Sequence, residues 1–167
     1  ISKGLGLWLT TDGTVTSGGT PTLNSWTRSE VLKVADPNLR FDSTAPAGTT
    51  AGTFTSVYDF GSDMPPASIQ GLSGLHFVSR DINIGGAGGT KQLLYGDMLF
   101  TVESGVTIGG TFIDKGEVGH FRPVDPNNYA LGGTYSLLLD NLLDAGDSKK
   151  VRAITLVEQD TLVGDTL

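Results

Sequence analysis

The chain has 167 residues, of which 24 are Gly, 17% are charged and 38% belong to the hydrophobic set, with a formal net charge of −7. So turn-rich a composition, without the Lys and Glu load of a helical protein, points to an all-β fold, and the acidic balance leaves no basic stripe to neutralise the phosphates of nucleic acid or an anionic membrane. Cysteine is absent, which removes disulfides, thiolate catalysis and cysteine-ligated metals together, and no run reaches the ~20 apolar residues of a membrane-spanning helix.

In chain order, residues 6–11 (GLWLTT) are apolar and β-branched and predict a strand, followed by a Thr/Ser/Gly-rich connection through Pro21. A short strand over 30–34 is stopped by Asp36-Pro37, because proline lacks the amide that a central ladder needs; 39–41 resume briefly. Residues 53–60 (TFTSVYDF) alternate strictly, which predicts Phe54, Ser56, Tyr58 and Phe60 on one face of a half-buried strand. Residues 72–78 and 81–84 read as strands, GGAGG as a turn, and 92–102, 106–113 and 118–122 as further strands. Leucines over 137–143 would suit a helix, but their correspondence with 56–60 predicts a strand to Asp140; 151–158 and 161–163 close the chain as strands.

Landmarks recur in the same order. Glu30-Val31 returns as Glu117-Val118, Asp36-Pro37-Asn38 as Asp125-Pro126-Asn127, Gly52-Thr53-Phe54 as Gly133-Thr134-Tyr135, and the Asp81 to Gly85 segment as Asp160 to Gly164. Leu99-Phe100-Thr101 stands where Trp8-Leu9-Thr10 stands. The expected organisation is therefore two tandem β units, 1–91 and 92–167, each an antiparallel sandwich-like unit.

Chemistry-bearing motifs are sparse. The GGAGGTK of 85–91 lacks the Gly-Lys-Ser/Thr order of a phosphate loop and reads as a turn. His76 and His120 lie in apolar runs without a second ligand at metal spacing and read as structural histidines. Asp140, Asn141, Asp144 and Asp147 gather oxygen ligands around a bend at Gly146; the two readings are a solvated turn and a calcium site, the one metal this chain suggests. Asp36 and Asp125 are expected to form Asx turns, with paired metal ligands the competing reading. Trp8, Trp26, Tyr95 and Tyr129 are the aromatics that would stack on a sugar, with core burial the competing reading for Trp8. The carboxylates form no recognisable glycosidase pair, and no enzymatic activity is expected.

The pattern LWLTT…SW…EVLKVADPNLRF…GTF…LHFVSRDINIGG…GDMLF…EVGHFRPVDPNNY…GTYSLLLDN…LVEQDTLVGDTL resembles repeat modules of very long secreted proteins of planctomycetes and similar bacteria. The resemblance implies tandem modules, often beside cadherin-like or adhesin-like domains, with a structural role at the cell surface or in an extracellular matrix, and it carries over no catalytic residues. The ends of the chain read as complementary: the tail stops where the first unit runs on into a strand, and the head opens with such a strand. The expectation is a structural or adhesive subunit that polymerises with copies of itself, head to tail, through Leu5, Leu7, Trp8 and Leu9 against Leu162, Val163 and Leu167. A secreted carbohydrate-binding module, with glycans as partners, is the alternative.

Overall fold

A computed structural model describes residues 6–15, 23, 25–35, 53–64, 71–86, 89–140 and 150–158. Its regular elements are eleven β-strands: β1 (Gly6–Leu9), β2 (Glu30–Ala35), β3 (Thr53–Asp59), β4 (Leu72–Phe77), β5 (Ile82–Gly86), β6 (Gly89–Leu93), β7 (Met98–Val102), β8 (Val106–Ile108), β9 (Thr111–Ile113), β10 (Val118–Pro123) and β11 (Gly133–Leu139), with short 3-10 turns at Phe60–Asp63 and Tyr129–Leu131. Every strand pairing among the described residues is antiparallel. The expected all-β class is what the chain adopts.

Two sheets make the body: a three-stranded sheet in the order β1-β2-β3 and a four-stranded one in the order β11-β10-β7-β4. Their facing sides share one apolar cluster in a sandwich-like arrangement. Val31, Tyr58 and Phe60 from the first half of the chain meet Phe77, Met98, Phe100 and Phe121. Tyr58 stacks on Phe121 with ring centroids 4.7 Å apart, and Phe60 lies 4.9 Å from Phe100. Phe60, Phe100 and Phe121 are fully buried, each stabilising the fold by about 2–3 kcal/mol through removal of apolar area from water. A boundary at residue 91 therefore does not separate two cores: β4 lies before it and β7 after it, yet they are neighbours in one sheet, and the shared cluster draws on both halves.

The four-stranded sheet is covered on its other side too. The β5–β6 hairpin brings Ile82 and Leu93 onto Leu99 and Val118, with Leu138, Ile154 and Leu156 packed around them. Burial on both faces is why β7, MLFTV, is an unbroken run of buried residues rather than an alternation. At the β8–β9 hairpin the two central residues, Gly109 and Gly110, have φ of 54° and 83°. A two-residue turn whose twist matches its strands needs φ > 0 at both positions, and glycine meets that demand without strain.

The first three strands and β7-β10-β11 share order and register. Leu7, Trp8 and Leu9 face Val34, Lys33 and Leu32, as Met98, Leu99 and Phe100 face Phe121, His120 and Gly119. Lys33 and Val34 face Thr55 and Phe54, as His120 and Phe121 face Ser136 and Tyr135. The register slips at the same place in both, between Val31 and Leu32 and between Val118 and Gly119. The turn leading in is also built alike: Thr27 N–H donates to the Glu30 carboxylate at 2.6 Å and Asp114 N–H to the Glu117 carboxylate at 2.7 Å.

That slip corrects the strict alternation expected for 53–60. Val31 pairs with Tyr58 and Leu32 with Ser56, so Val57 is an extra residue in β3, and a bulge of this kind reorients the strand beyond it. Phe54 consequently stacks on Trp26, 6.1 Å away with the rings 9° from parallel, while Tyr58 joins the shared core. The strand expected over 151–158 is also corrected: residues 150–158 carry no strand. Val151 N–H donates to the Lys115 carbonyl and its own carbonyl accepts from Ser73 Oγ at 2.8 Å, so these backbone groups meet a loop and a side chain instead of a ladder. The strands expected at 39–41 and 161–163, and Asp36-Pro37, lie outside the described residues. Asp125 does form its Asx turn, accepting from Asn127 N–H at 2.8 Å.

Candidate functional site

β1 places three of the residues expected to serve assembly, Leu7, Trp8 and Leu9, on a strand that β2 pairs on one edge. Among the described residues nothing pairs the other edge, since β1 ends its sheet. Trp8 turns its ring into the molecule, 5.1 Å from Phe77 and 5.5 Å from Tyr129, which is the core role expected for it. Among the described residues its buried indole Nε1–H has no hydrogen-bond partner, a costly state for a donor. Leu7 is 37% exposed. A cavity of about 290 Å³ separates Trp8, Leu9 and Thr10 from Gly74 and Leu75 of β4 and from Ala153 and Ile154. Leu5, Leu162, Val163 and Leu167, the other residues expected at the assembly contact, lie outside the described residues.

The 150–158 segment that borders this cavity is fastened at its end by Glu158. The carboxylate accepts from Ser79 N–H at 2.8 Å, from the Ser79 hydroxyl, and lies 3.1 Å from His76 Nε2, and Arg80 donates to the Glu158 carbonyl. Burial pushes the Glu158 carboxyl up, but the Ser79 donors and His76 outweigh it and hold the carboxyl below its usual range. Glu158→Ala should therefore free the segment from β4: amide exchange over 150–157 should rise several-fold in hydrogen-exchange mass spectrometry while the β7 and β10 amides stay protected. Unchanged exchange over 150–157 would mean that Ile154 and Leu156, packed on the outer cluster, hold the segment by themselves.

The second polar constellation joins four strands or their turns. Asp97, at the start of β7, lies 2.8 Å from His120 Nε2 on β10; His120 Nδ1 lies 3.0 Å from Ser136 Oγ on β11; and Lys91 Nζ on β6 donates to the same oxygen at 3.0 Å. Asp97 also accepts from the Arg122 guanidinium at 2.7 Å and from the Leu94 N–H at 2.9 Å. Burial raises the Asp97 carboxyl, yet the bonds from His120, Arg122 and Leu94 prevail and lower it to about 2. The order carboxylate, imidazole, hydroxyl is that of a proton relay, but the His120 side chain is 4% exposed and that of Asp97 1%, so the imidazole has no face open to a substrate. What the arrangement does is tie the β5–β6 hairpin to the sheet it covers. Alternation in GHFRP puts His120 and Arg122 on one face, a signal that a carboxylate must meet them; which one, more than twenty positions away, local sequence does not say.

On the other face, Tyr135 donates to Asp63 at 2.6 Å and Tyr58 shares the same oxygen. Burial, together with Asp63, pushes the Tyr58 phenol up to about 12. Of the proposed sugar-stacking aromatics, Tyr129 is buried with its hydroxyl donating to the Gly96 carbonyl, Trp26 lies against Phe54 and donates to Thr11 Oγ1 at 3.1 Å, and Tyr95 is 37% exposed with its ring edge-on to Phe77. Asp140 is exposed after β11, near Glu117. Asn141, Asp144 and Asp147, the other members of the candidate calcium set, lie outside the described residues.

Set against family models, curated proteins and solved structures, the chain matches none.

Proposed function

We propose that this protein is a structural, adhesive subunit of an extracellular or cell-surface polymer, built on an internal duplication and joined to further copies head to tail by β-strand pairing. The observation that carries the reading is the common register of β1-β2-β3 and β7-β10-β11, bulge included, combined with one difference: β7 has a fourth strand, β4, on its far edge, and β1, among the described residues, ends its sheet. A free apolar edge is a pairing hazard unless it has a designated partner. Strand addition supplies one through main-chain hydrogen bonds, with side-chain pockets for specificity. Because the edge and the element that would fill it differ, the contact is heterologous, and such contacts propagate into filaments when their rotation does not close. The low charge, the absence of cysteine and the Gly-rich composition suit an exported structural module.

Analytical ultracentrifugation and negative-stain microscopy test the proposal. Linear species that grow with concentration are expected. Leu7→Lys, which puts a charge on a residue already 37% exposed, should reduce the protein to monomer with an unchanged far-UV spectrum. A wild-type protein that stays monomeric up to millimolar concentration overturns the proposal.

A further inference from the structure

Resting on the head-to-tail reading, we infer that the strand added to β1 is residues 151–157 of another copy, antiparallel, in the register that β4 adopts on β7. The donor is identified by its pattern. β4 and the residue after it read LSGLHFV, and residues 151–157 read VRAITLV. Apolar residues coincide at Leu72 and Val151, Leu75 and Ile154, Phe77 and Leu156, and Val78 and Val157. Gly74, where a Cβ would come within 2.7 Å of Thr101 Oγ1, has as its counterpart Ala153, the smallest side chain after glycine.

Burial supports the same assignment from an independent side. Met98, in the four-stranded sheet, and Val78, the residue that follows β4, are both 0% exposed; their counterparts Leu7 and Val157 are 37% and 67% exposed. Exposed apolar residues at positions whose equivalents are fully covered are what an acceptor edge and a donor strand look like when apart. The 150–158 segment lies over β4 without a ladder of its own; the bonds that Val151 makes to Lys115 and Ser73, and the Leu156 N–H makes to His76 Nδ1 at 3.5 Å, are the ones it would exchange for a ladder, and it already borders the cavity beside Trp8, Leu9 and Thr10.

Transposing the β4–β7 register, in which Gly74 faces Thr101, Leu75 faces Phe100, His76 faces Leu99 and Phe77 faces Met98, sets Ala153 opposite Thr10, Ile154 opposite Leu9, Thr155 opposite Trp8 and Leu156 opposite Leu7. Directly opposed residues in antiparallel strands share a face. The Thr155 hydroxyl thus comes beside Trp8, whose indole N–H meets no acceptor among the described residues. The product is a four-stranded sheet with the strand order of β11-β10-β7-β4.

The chain contains no cysteine, so introduced thiols report the register cleanly. Directly opposed residues have Cα separations of about 4.5–5.5 Å, within disulfide reach. Equal amounts of Leu9→Cys and Ile154→Cys chains, and in a second mixture Thr10→Cys and Ala153→Cys chains, would be oxidised mildly and run on non-reducing gels. The second pair consists of small or exposed positions that should not disturb folding. A covalent dimer of the two different chains is expected, at least fivefold more abundant than from the register-shifted mixture of Leu7→Cys with Ile154→Cys. If sedimentation shows polymer but the matched mixtures give no more dimer than the shifted one, the donor or its register is wrong and head-to-tail assembly stands. If sedimentation shows only monomer, both fall. If the double variant Leu9→Cys/Ile154→Cys closes within one chain and the mixtures give no dimer, the segment completes its own sheet and the intermolecular inference is overturned.

Discussion

Truncation of Phe121 to alanine is expected to destabilise the protein by about 3–5 kcal/mol, read as a shift in the urea midpoint. The ring is fully buried and lies 4.7 Å from Tyr58, 5.0 Å from Tyr135 and 5.5 Å from Phe60, so its removal opens a cavity where the two sheets meet. Because Tyr58 and Phe60 come from the first half of the chain and Tyr135 from the second, the loss should appear in both sheets together. Trp8 fluorescence, isolated in a Trp26→Phe background, and far-UV ellipticity should show one coincident transition. Two separated transitions, or a loss below about 1 kcal/mol, would show that the halves do not depend on a common core.

Acid should remove the contribution of Asp97. Its carboxyl is held at about 2 against an ordinary 3.8, so the unfolded chain takes up the proton more readily than the folded one. The contribution, about 2–3 kcal/mol for a shift of roughly two units on a side chain that is 1% exposed, is complete above the unfolded value near pH 4 and is lost as pH falls from there through about 2. Asp97→Asn should lower stability at pH 7 by a similar amount and flatten the profile between pH 4 and pH 2. Urea unfolding at intervals across that range decides it: an Asn variant whose acid slope parallels that of the wild type would place the acid sensitivity elsewhere.

Much of the strand content was legible because the fold writes it locally. Period-two stretches, Gly turns, the return of the Glu-Val and Gly-Thr-aromatic landmarks and the likeness of Leu99-Phe100-Thr101 to Trp8-Leu9-Thr10 place β2, β3, β7, β10 and β11 near their observed bounds, and the counterpart relation between 56–60 and the leucines after Gly133 correctly makes β11 a strand. Within β3 the alternation misled at one residue. Val57 has the shape and polarity of its neighbours, and the bulge exists because Val31 and Leu32 of another strand pair around it. Of the candidate site, Leu7, Trp8 and Leu9 were legible as an apolar, β-forming run, but whether that run is central or at an edge is a property of its neighbours.

Composition by itself determined the all-β class, because a chain this rich in Gly and poor in Lys and Glu lacks the material of long helices. It also determined the absence of thiol chemistry, and the acidic balance argued against a phosphate-bearing partner. Tertiary structure alone decided three things. It put β4 beside β7 across the expected unit boundary, since strand partners far apart in sequence are chosen by the surfaces they jointly bury. It brought Asp97, His120, Arg122, Ser136 and Lys91 together, since a buried charge must be met from whichever strands lie alongside. And it left 151–158 unpaired and Leu7 exposed, since the need for a strand partner is a matter of which edges the folded sheets present.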